Sequence, residues 1–177
     1  MNAVAVNDAL RRRLDEDVAR DVWDEEPRLA LIIETAAGDI AFADVPVTSR
    51  TWGMAEPFQI IRLAALFTSE VGWGNLLNPG DSLVGAVLFS EGWGVSSDKP
   101  EAAAALMEWT KAGKRLVDHP LAVEVKMVSA VLVDGSSVML TYGRRGVELP
   151  DTKQANVEGR IPDALREALS AFQEVAA

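Results

Sequence analysis

The chain has 177 residues, of which 49% are hydrophobic and 25% are charged, a composition typical of a globular protein that folds as a single domain over residues 1–177. Its 17 lysines and arginines against 27 aspartates and glutamates leave a formal charge of −10, which disfavours nucleic acids and anionic membranes as partners. The lack of cysteine excludes disulfides and thiolate zinc sites, and the single histidine disfavours other zinc sites, so we expect no metal or other cofactor.

The sequence also argues against export and membrane insertion. Residues 1–17 carry charges where a signal peptide needs an apolar segment. No apolar run approaches the ~18 residues that a membrane-spanning helix requires. We therefore expect a cytoplasmic protein.

The first part of the chain predicts a helix followed by a hairpin. Asn7 or Asp8 caps the helix, whose narrow apolar stripe is flanked by charged side chains. Residues 28–34 and 39–45 are β-rich runs on either side of Gly38, which indicates a hairpin. We expect the helix to contact the rest of the domain or a partner protein through its stripe. The stripe consists of Leu10, Leu14, Val18 and Val22.

The middle of the chain predicts two helices and a central strand. Residues 58–67 are apolar on almost all sides, which indicates a largely buried helix. Residues 82–90 form a continuous apolar run of strand length, typical of a strand in the interior of a sheet. Asp98 then caps a helix that extends to about residue 116.

The last part of the chain predicts a second hairpin and a final helix. Residues 121–133 and 137–142 are strand-like and are joined by the turn at Asp134 and Gly135. Pro162 stands at the start of the final helix. The resulting order is α-ββ-α-β-α-ββ-α. Two hairpins without regular βα alternation predict an α+β domain, with a mostly antiparallel sheet of about five strands and helices packed on it.

Two stretches of the sequence are similar to each other, FTSEVGWGN at residues 67–75 and FSEGWGV at residues 89–95. A helix-like segment precedes the first and a strand-like segment the second, so they do not form a structural repeat. One interpretation is that the two tryptophans cover the edge of the core. The other is a small-ligand sensor with a cleft for a cationic or ring-bearing compound. That cleft would be formed by Trp73, Trp93, Glu70 and Glu91.

Glu124 and Lys126 are two residues apart in a predicted strand and therefore share one of its faces. Nucleases of the PD-(D/E)xK type use this arrangement, with a further acid, to hold a divalent metal. In this chain Glu91, Asp98 or Asp118 would have to supply that acid. A metal-dependent hydrolase using Glu91, Glu124 and Lys126 is therefore one hypothesis. The simpler one is cross-strand charge on an exposed sheet face, without a metal or a catalytic set.

Arg144 and Arg145 are the one concentrated basic feature of the sequence. They stand between glycines at a predicted strand end and suit a carboxylate or phosphate, or an acidic patch such as residues 24–26 of a neighbouring subunit. A solvated turn is the alternative. Together with the stripe of the first helix, represented by Leu10, Leu14 and Val18, the two arginines are the candidate interaction residues.

Four short segments resemble small proteins of unknown function that are encoded by actinobacteria and their bacteriophages. These segments are residues 88–93, 119–120, 124–128 and 130–135, which read LFSEGW, HP, EVKMV and AVLVDG. The resemblance implies no activity. It favours a phage-encoded protein, either part of the virion or an accessory protein.

The sequence therefore favours a non-catalytic, acidic binding or assembly protein that acts through protein–protein contacts. Its expected partner is another protein or a second copy of itself. The metal-dependent hydrolase and the small-ligand sensor are the alternatives.

Overall fold

The computed structural model describes residues 3–71, 77–95, 100–144, 157 and 159–176. The predicted α+β class and element order are confirmed, with a one-turn helix and a short 3₁₀ helix (Leu116–Asp118) in addition. The elements are α1 (Ala3–Ala19), β1 (Arg28–Glu34), β2 (Ile40–Asp44), α2 (Ser49–Trp52), α3 (Pro57–Val71), β3 (Ser82–Val95), α4 (Pro100–Lys111), β4 (Ala122–Leu132), β5 (Ser137–Gly143) and α5 (Arg160–Ala176).

The five strands form one antiparallel sheet in the order β2-β1-β3-β4-β5. The two hairpins supply the sheet edges, and β3 lies at the centre, as its continuous apolar sequence predicts. The pairing of β3 with β4 runs from Gly85 opposite Leu132 to Val95 opposite Ala122. Strand β3 is therefore longer than the predicted residues 82–90, and its second half contains the stretch around Trp93.

Helices α3 and α5 cover one face of the sheet. Side chains alternate across a strand, so Leu29 and Leu31 of β1 point to the same side as Leu88 of β3. There they pack with Leu165 and Leu169, which lie four apart on α5. This face contains the larger part of the apolar core.

Helix α1 covers the opposite face of the sheet. Leu10 and Leu14 are 0% and 8% exposed and pack in one cluster with Ala30 and Ile32, while Val18 packs against the edge of this cluster. The candidate interaction residues of this helix are thus covered by the sheet of their own chain. The physical reason for this burial is that the sheet is the middle layer of the domain and has two apolar faces. Each face needs a helix packed on it to exclude water.

The prediction of a largely buried helix is wrong for the outer side of α3. Ile60 and Ile61 are buried, but Leu63, Leu66 and Phe67 are 43%, 74% and 51% exposed. Because α3 lies in the outer layer of the domain, only one side of it contacts the sheet and α5. Its uniformly apolar sequence therefore leaves apolar side chains in water.

Helix α4 begins at Pro100 and ends at Lys111, whereas the sequence predicts that it extends to about residue 116. The Trp109 ring contacts the ring of His119 edge to face, with the centroids 4.9 Å apart, and this ties the end of α4 to the start of β4. Among the described residues, no helix has the length and apolar character needed to cross a bilayer.

Candidate functional site

One end of the sheet gathers charged side chains on the face that α1 covers. Glu91 of β3 pairs in register with Lys126 of β4, and Trp93 pairs with Glu124. Because these residues are two apart along each strand, all four side chains point to the same face. The last part of α1 reaches the border of this region, where Leu14 and Asp17 line one cavity with Lys126. The segment that follows α1 also contacts Lys126.

That segment, residues 20–27, connects α1 to β1 and is called the strap here. Two of its residues, Asp21 and Asp24, adopt left-handed backbone conformations with φ of 48° and 65°. The Trp23 Nε1 donates a hydrogen bond of 3.1 Å to Asp21 Oδ1, and the Asp24 amide donates one of 2.7 Å to Glu91 Oε2. The strap is thereby held on the sheet by a backbone donor as well as by side chains.

Lys126 lies at the centre of this group of side chains, which we call the charged cluster and which also includes Glu25, Glu91, Glu124 and Arg144. Its ammonium donates to Glu91 Oε1 at 2.8 Å and to Glu25 Oε2 at 3.2 Å, and the residue is only 4% exposed. Burial lowers the pKa of Lys126, but the hydrogen bonds and charges of the two glutamates outweigh that effect, so its pKa lies above the ordinary value of 10.5. The expectation that Lys126 lies on an exposed face of the sheet is therefore wrong, because the strap covers this residue.

Arg144 is held within its own chain. It forms an ion pair with Glu124, and its guanidinium carbon lies 5.0 Å from the centre of the Trp23 ring. The hydrogen bond to Glu124 raises the pKa of Arg144. Since Lys126 Nζ lies 5.1 Å from the same ring, Trp23 contacts two cations. The acidic segment that lies near Arg144 therefore belongs to the same chain and not to a neighbouring subunit. Arg145 lies outside the described residues.

Three carboxylates come close together at this end of the sheet. Asp24, Glu91 and Glu124 each offer an oxygen atom, and these atoms lie within 4.8 Å of one another. Oxygen donors suit hard divalent cations such as Mg²⁺ and Mn²⁺. However, Glu91 already binds Lys126 and Glu124 already binds Arg144, so a metal ion would have to compete with both. The donor set therefore fits a divalent cation only if these ion pairs open.

Trp93 borders an open cleft next to the carboxylates. The side chain is 43% exposed, and the cleft has a volume of about 300 Å³. Its other lining residues are Ala122, Val123, Glu124 and Arg144. A Cβ at Gly92 would lie 2.8 Å from Met127 Cε, which is the end of a flexible side chain on the neighbouring strand and can move to accommodate it.

The structure brings together Glu91, Trp93, Glu124 and Lys126 from the sequence-based hypotheses. Trp73 and the side chain of Glu70 lie outside the described residues, so the proposed pairing of the two tryptophan stretches does too. The site also includes Trp23, which no sequence pattern singled out, and Asp24, which was expected only as part of an acidic patch for the arginines of a neighbouring subunit. The signal for Trp23 was an indole directly before the acidic residues that follow the predicted first helix.

Comparisons of the chain with protein-family models, with curated proteins and with solved structures find no match.

Proposed function

We propose that this is a non-catalytic binding or assembly protein that acts in the cytoplasm through contacts with other proteins. The observation that carries the proposal is the exposed apolar side of α3. Leu63, Leu66 and Phe67 lie three and four residues apart, so they share one face of the helix, which we call the α3 surface. At 43%, 74% and 51% exposure, they present large apolar groups to water.

The neighbouring helix in the same layer shows what an ordinary outer face looks like. The exposed positions of α5 whose side chains the structure describes are all polar: Arg160, Asp163, Glu167, Ser170, Gln173 and Glu174. Apolar exposure is thus a property of α3 and not of the whole layer. Covering the α3 surface would be favourable by about 25 cal/mol for each Å² of apolar area removed from water.

The state of the charged cluster supports a non-catalytic protein. Lys126 is buried between two carboxylates and fastens the strap, so its ammonium is engaged by groups of its own chain. Glu124 is occupied by Arg144. These contacts are those of an ion-pair network that holds a connecting segment on the sheet.

An affinity capture with matched variants tests the proposal. The bait is the purified protein as wild type, as Leu66→Glu, and as Leu121→Glu, which changes a 62% exposed leucine on another surface. Because of the resemblance to phage proteins, lysates of actinobacteria with and without phage infection are the source of partners. We expect a bound protein that is retained by the wild type and by Leu121→Glu and is lost with Leu66→Glu. Identical capture by all three baits would contradict the proposal.

A metal-dependent hydrolase is the second candidate function. It is favoured by one observation, the convergence of Asp24, Glu91 and Glu124 beside Lys126. In such an enzyme the carboxylates would hold the divalent cation, and the cation would activate the attacking water. The lysine would steady that water once its hydrogen bonds to Glu25 and Glu91 had opened.

Thermal unfolding with Mg²⁺ or Mn²⁺ tests this second candidate. Arg144→Met removes the cation that competes for Glu124, so a metal should stabilise this variant more than the wild type. Glu91→Gln should abolish the stabilisation, while the control Glu108→Gln, on the exposed side of α4, should retain it. If neither metal shifts the unfolding temperature of Arg144→Met, the hydrolase is excluded.

A further inference from the structure

We propose that the α3 surface binds the α3 surface of a second copy of the chain, which makes a two-fold symmetric dimer. The inference rests on the proposed function and names the partner of the same surface. Three properties favour a second copy as the occupant: the charge of the molecule, the shape of the α3 surface and its size.

Charge restricts where two copies can meet. Each copy has a formal charge of −10, so most approaches of one copy to another are repulsive. The three side chains of the α3 surface are uncharged, while the side chain of Glu70, three residues after Phe67, lies outside the described residues. Arg62, beside this surface, is already bound to Glu167 by two hydrogen bonds of 2.8 Å. A basic partner would be drawn to the acidic parts of the molecule instead. Among the described side chains of α3, this uncharged patch is thus the part on which a second acidic copy is least repelled.

The shape of the surface suits a contact between identical helices. In a two-fold interface the same patch occurs on both sides, and residue i of one copy meets residue j of the other and the reverse. Leu63, Leu66 and Phe67 form a ridge along the helix axis. Two such ridges crossing in antiparallel orientation place Leu66 near the symmetry axis, with Leu63 of each copy near Phe67 of the other.

The size of the surface predicts a weak dimer. With about 200 Å² for each large side chain, the exposed parts of the three residues amount to roughly 300 Å² per copy. Stable complexes bury about 800 Å² per partner, including their polar rim. The α3 surface therefore supplies the apolar centre of a small interface, and the dimer should form only at high protein concentration.

Sedimentation equilibrium tests the dimer. Over protein concentrations from about 5 to about 500 µM, in the range of weak association, we expect the mass to rise from 19.1 kDa towards twice that value. Leu66→Glu should weaken dimerisation at least about tenfold, as expected for a charge placed at the centre of an interface. Leu121→Glu should dimerise like the wild type. A mass of 19.1 kDa at every concentration, or equal dimerisation by Leu66→Glu, would overturn the inference.

A cross-linking experiment gives an independent readout of the symmetry. Because the chain has no cysteine, Leu66→Cys introduces a unique thiol beside the proposed axis. Under mild oxidation we expect a disulfide-linked dimer for Leu66→Cys and none for Leu121→Cys, and similar yields for both would count against the inference. The capture experiment separates the two proposals. If the protein is monomeric but captures another protein through the α3 surface, the dimer alone is refuted. If it neither dimerises nor captures another protein, the proposed function is refuted as well.

Discussion

At the scale of single residues, Lys126 shows how burial changes the meaning of a motif. A glutamate and a lysine two residues apart indicate either a metal-dependent site or exposed cross-strand charge. In the structure Lys126 has 4% of its surface exposed and binds Glu91 and Glu25, so it is neither a free catalytic group nor a solvated one. Its two partners decide its role, and they are distant in the chain: Glu25 on the strap is 101 residues away and Glu91 on β3 is 35 residues away.

Removing the ammonium of Lys126 should destabilise the protein. Lys126→Met keeps much of the side-chain volume but leaves Glu91, a glutamate with 13% of its side chain exposed, without its cation. Breaking such a pair costs about 3 kcal/mol of the free energy of unfolding. Urea denaturation measures this, and Lys111→Met on the exposed side of α4 should change the stability by less than about 0.5 kcal/mol. The double variant Lys126→Met/Glu91→Gln should recover part of the loss, and no recovery would contradict the ion-pair explanation.

The same lysine predicts a loss of stability at high pH. Because the pKa of Lys126 is raised in the folded protein above 10.5, its contribution is fully present below pH 10.5 and disappears as the pH rises through the folded-state pKa. Urea denaturation of the wild type and Lys126→Met between about pH 9 and pH 12 measures the effect. The difference between the two proteins should narrow above pH 10.5, and a constant difference would refute the assignment.

At the scale of elements, the pairing of the central strand β3 with its neighbours requires a residue without a side chain at one position, Gly85. Gly85 lies where the pairing of β1 with β3 shifts, between Ile32 and Ile33. A Cβ at this glycine would lie 2.6 Å from the Val131 carbonyl oxygen of the adjacent strand, and a backbone atom cannot move away easily. The irregularity in β3 therefore depends on this residue.

Gly85→Ala should destabilise the sheet by about 1–3 kcal/mol, as overpacking of a close-packed core does. The control is Gly53→Ala, because the nearest atom to a Cβ there is 3.7 Å away and the backbone φ is −76°. Thermal unfolding of the two variants measures the difference. Equal stability of both would show that β3 can shift to accommodate the methyl group.

At the scale of the whole molecule, charge and apolar exposure act in opposite directions. The formal charge of −10 keeps copies apart, while the α3 surface gains free energy when it is covered. The proposed dimer is the balance of these two effects. Its strength should therefore depend on the ionic strength of the solution.

Salt should strengthen the dimer. The Debye length falls from about 30 Å at 0.01 M to about 8 Å at 0.15 M ionic strength, so the repulsion between two acidic copies is progressively screened. We expect the dimer dissociation constant to fall several-fold over this range, as measured by sedimentation equilibrium. Leu66→Glu should remain monomeric at both salt concentrations. A dimer that weakens with salt would point to ion pairs, and not to the apolar α3 surface, as its source.

The sequence by itself determined the order of the elements, the two hairpins and the antiparallel sheet, because these depend on local periodicity and turn residues such as Asp134 and Gly135. The tertiary structure alone decided which faces were covered. Periodicity identifies an apolar side but not its neighbour, so the stripe with Leu10 is on the sheet, while Leu66 of α3 is in water. The cluster at Lys126 also required the fold, because its partners come from segments distant in the chain that meet through strand register and the path of the strap.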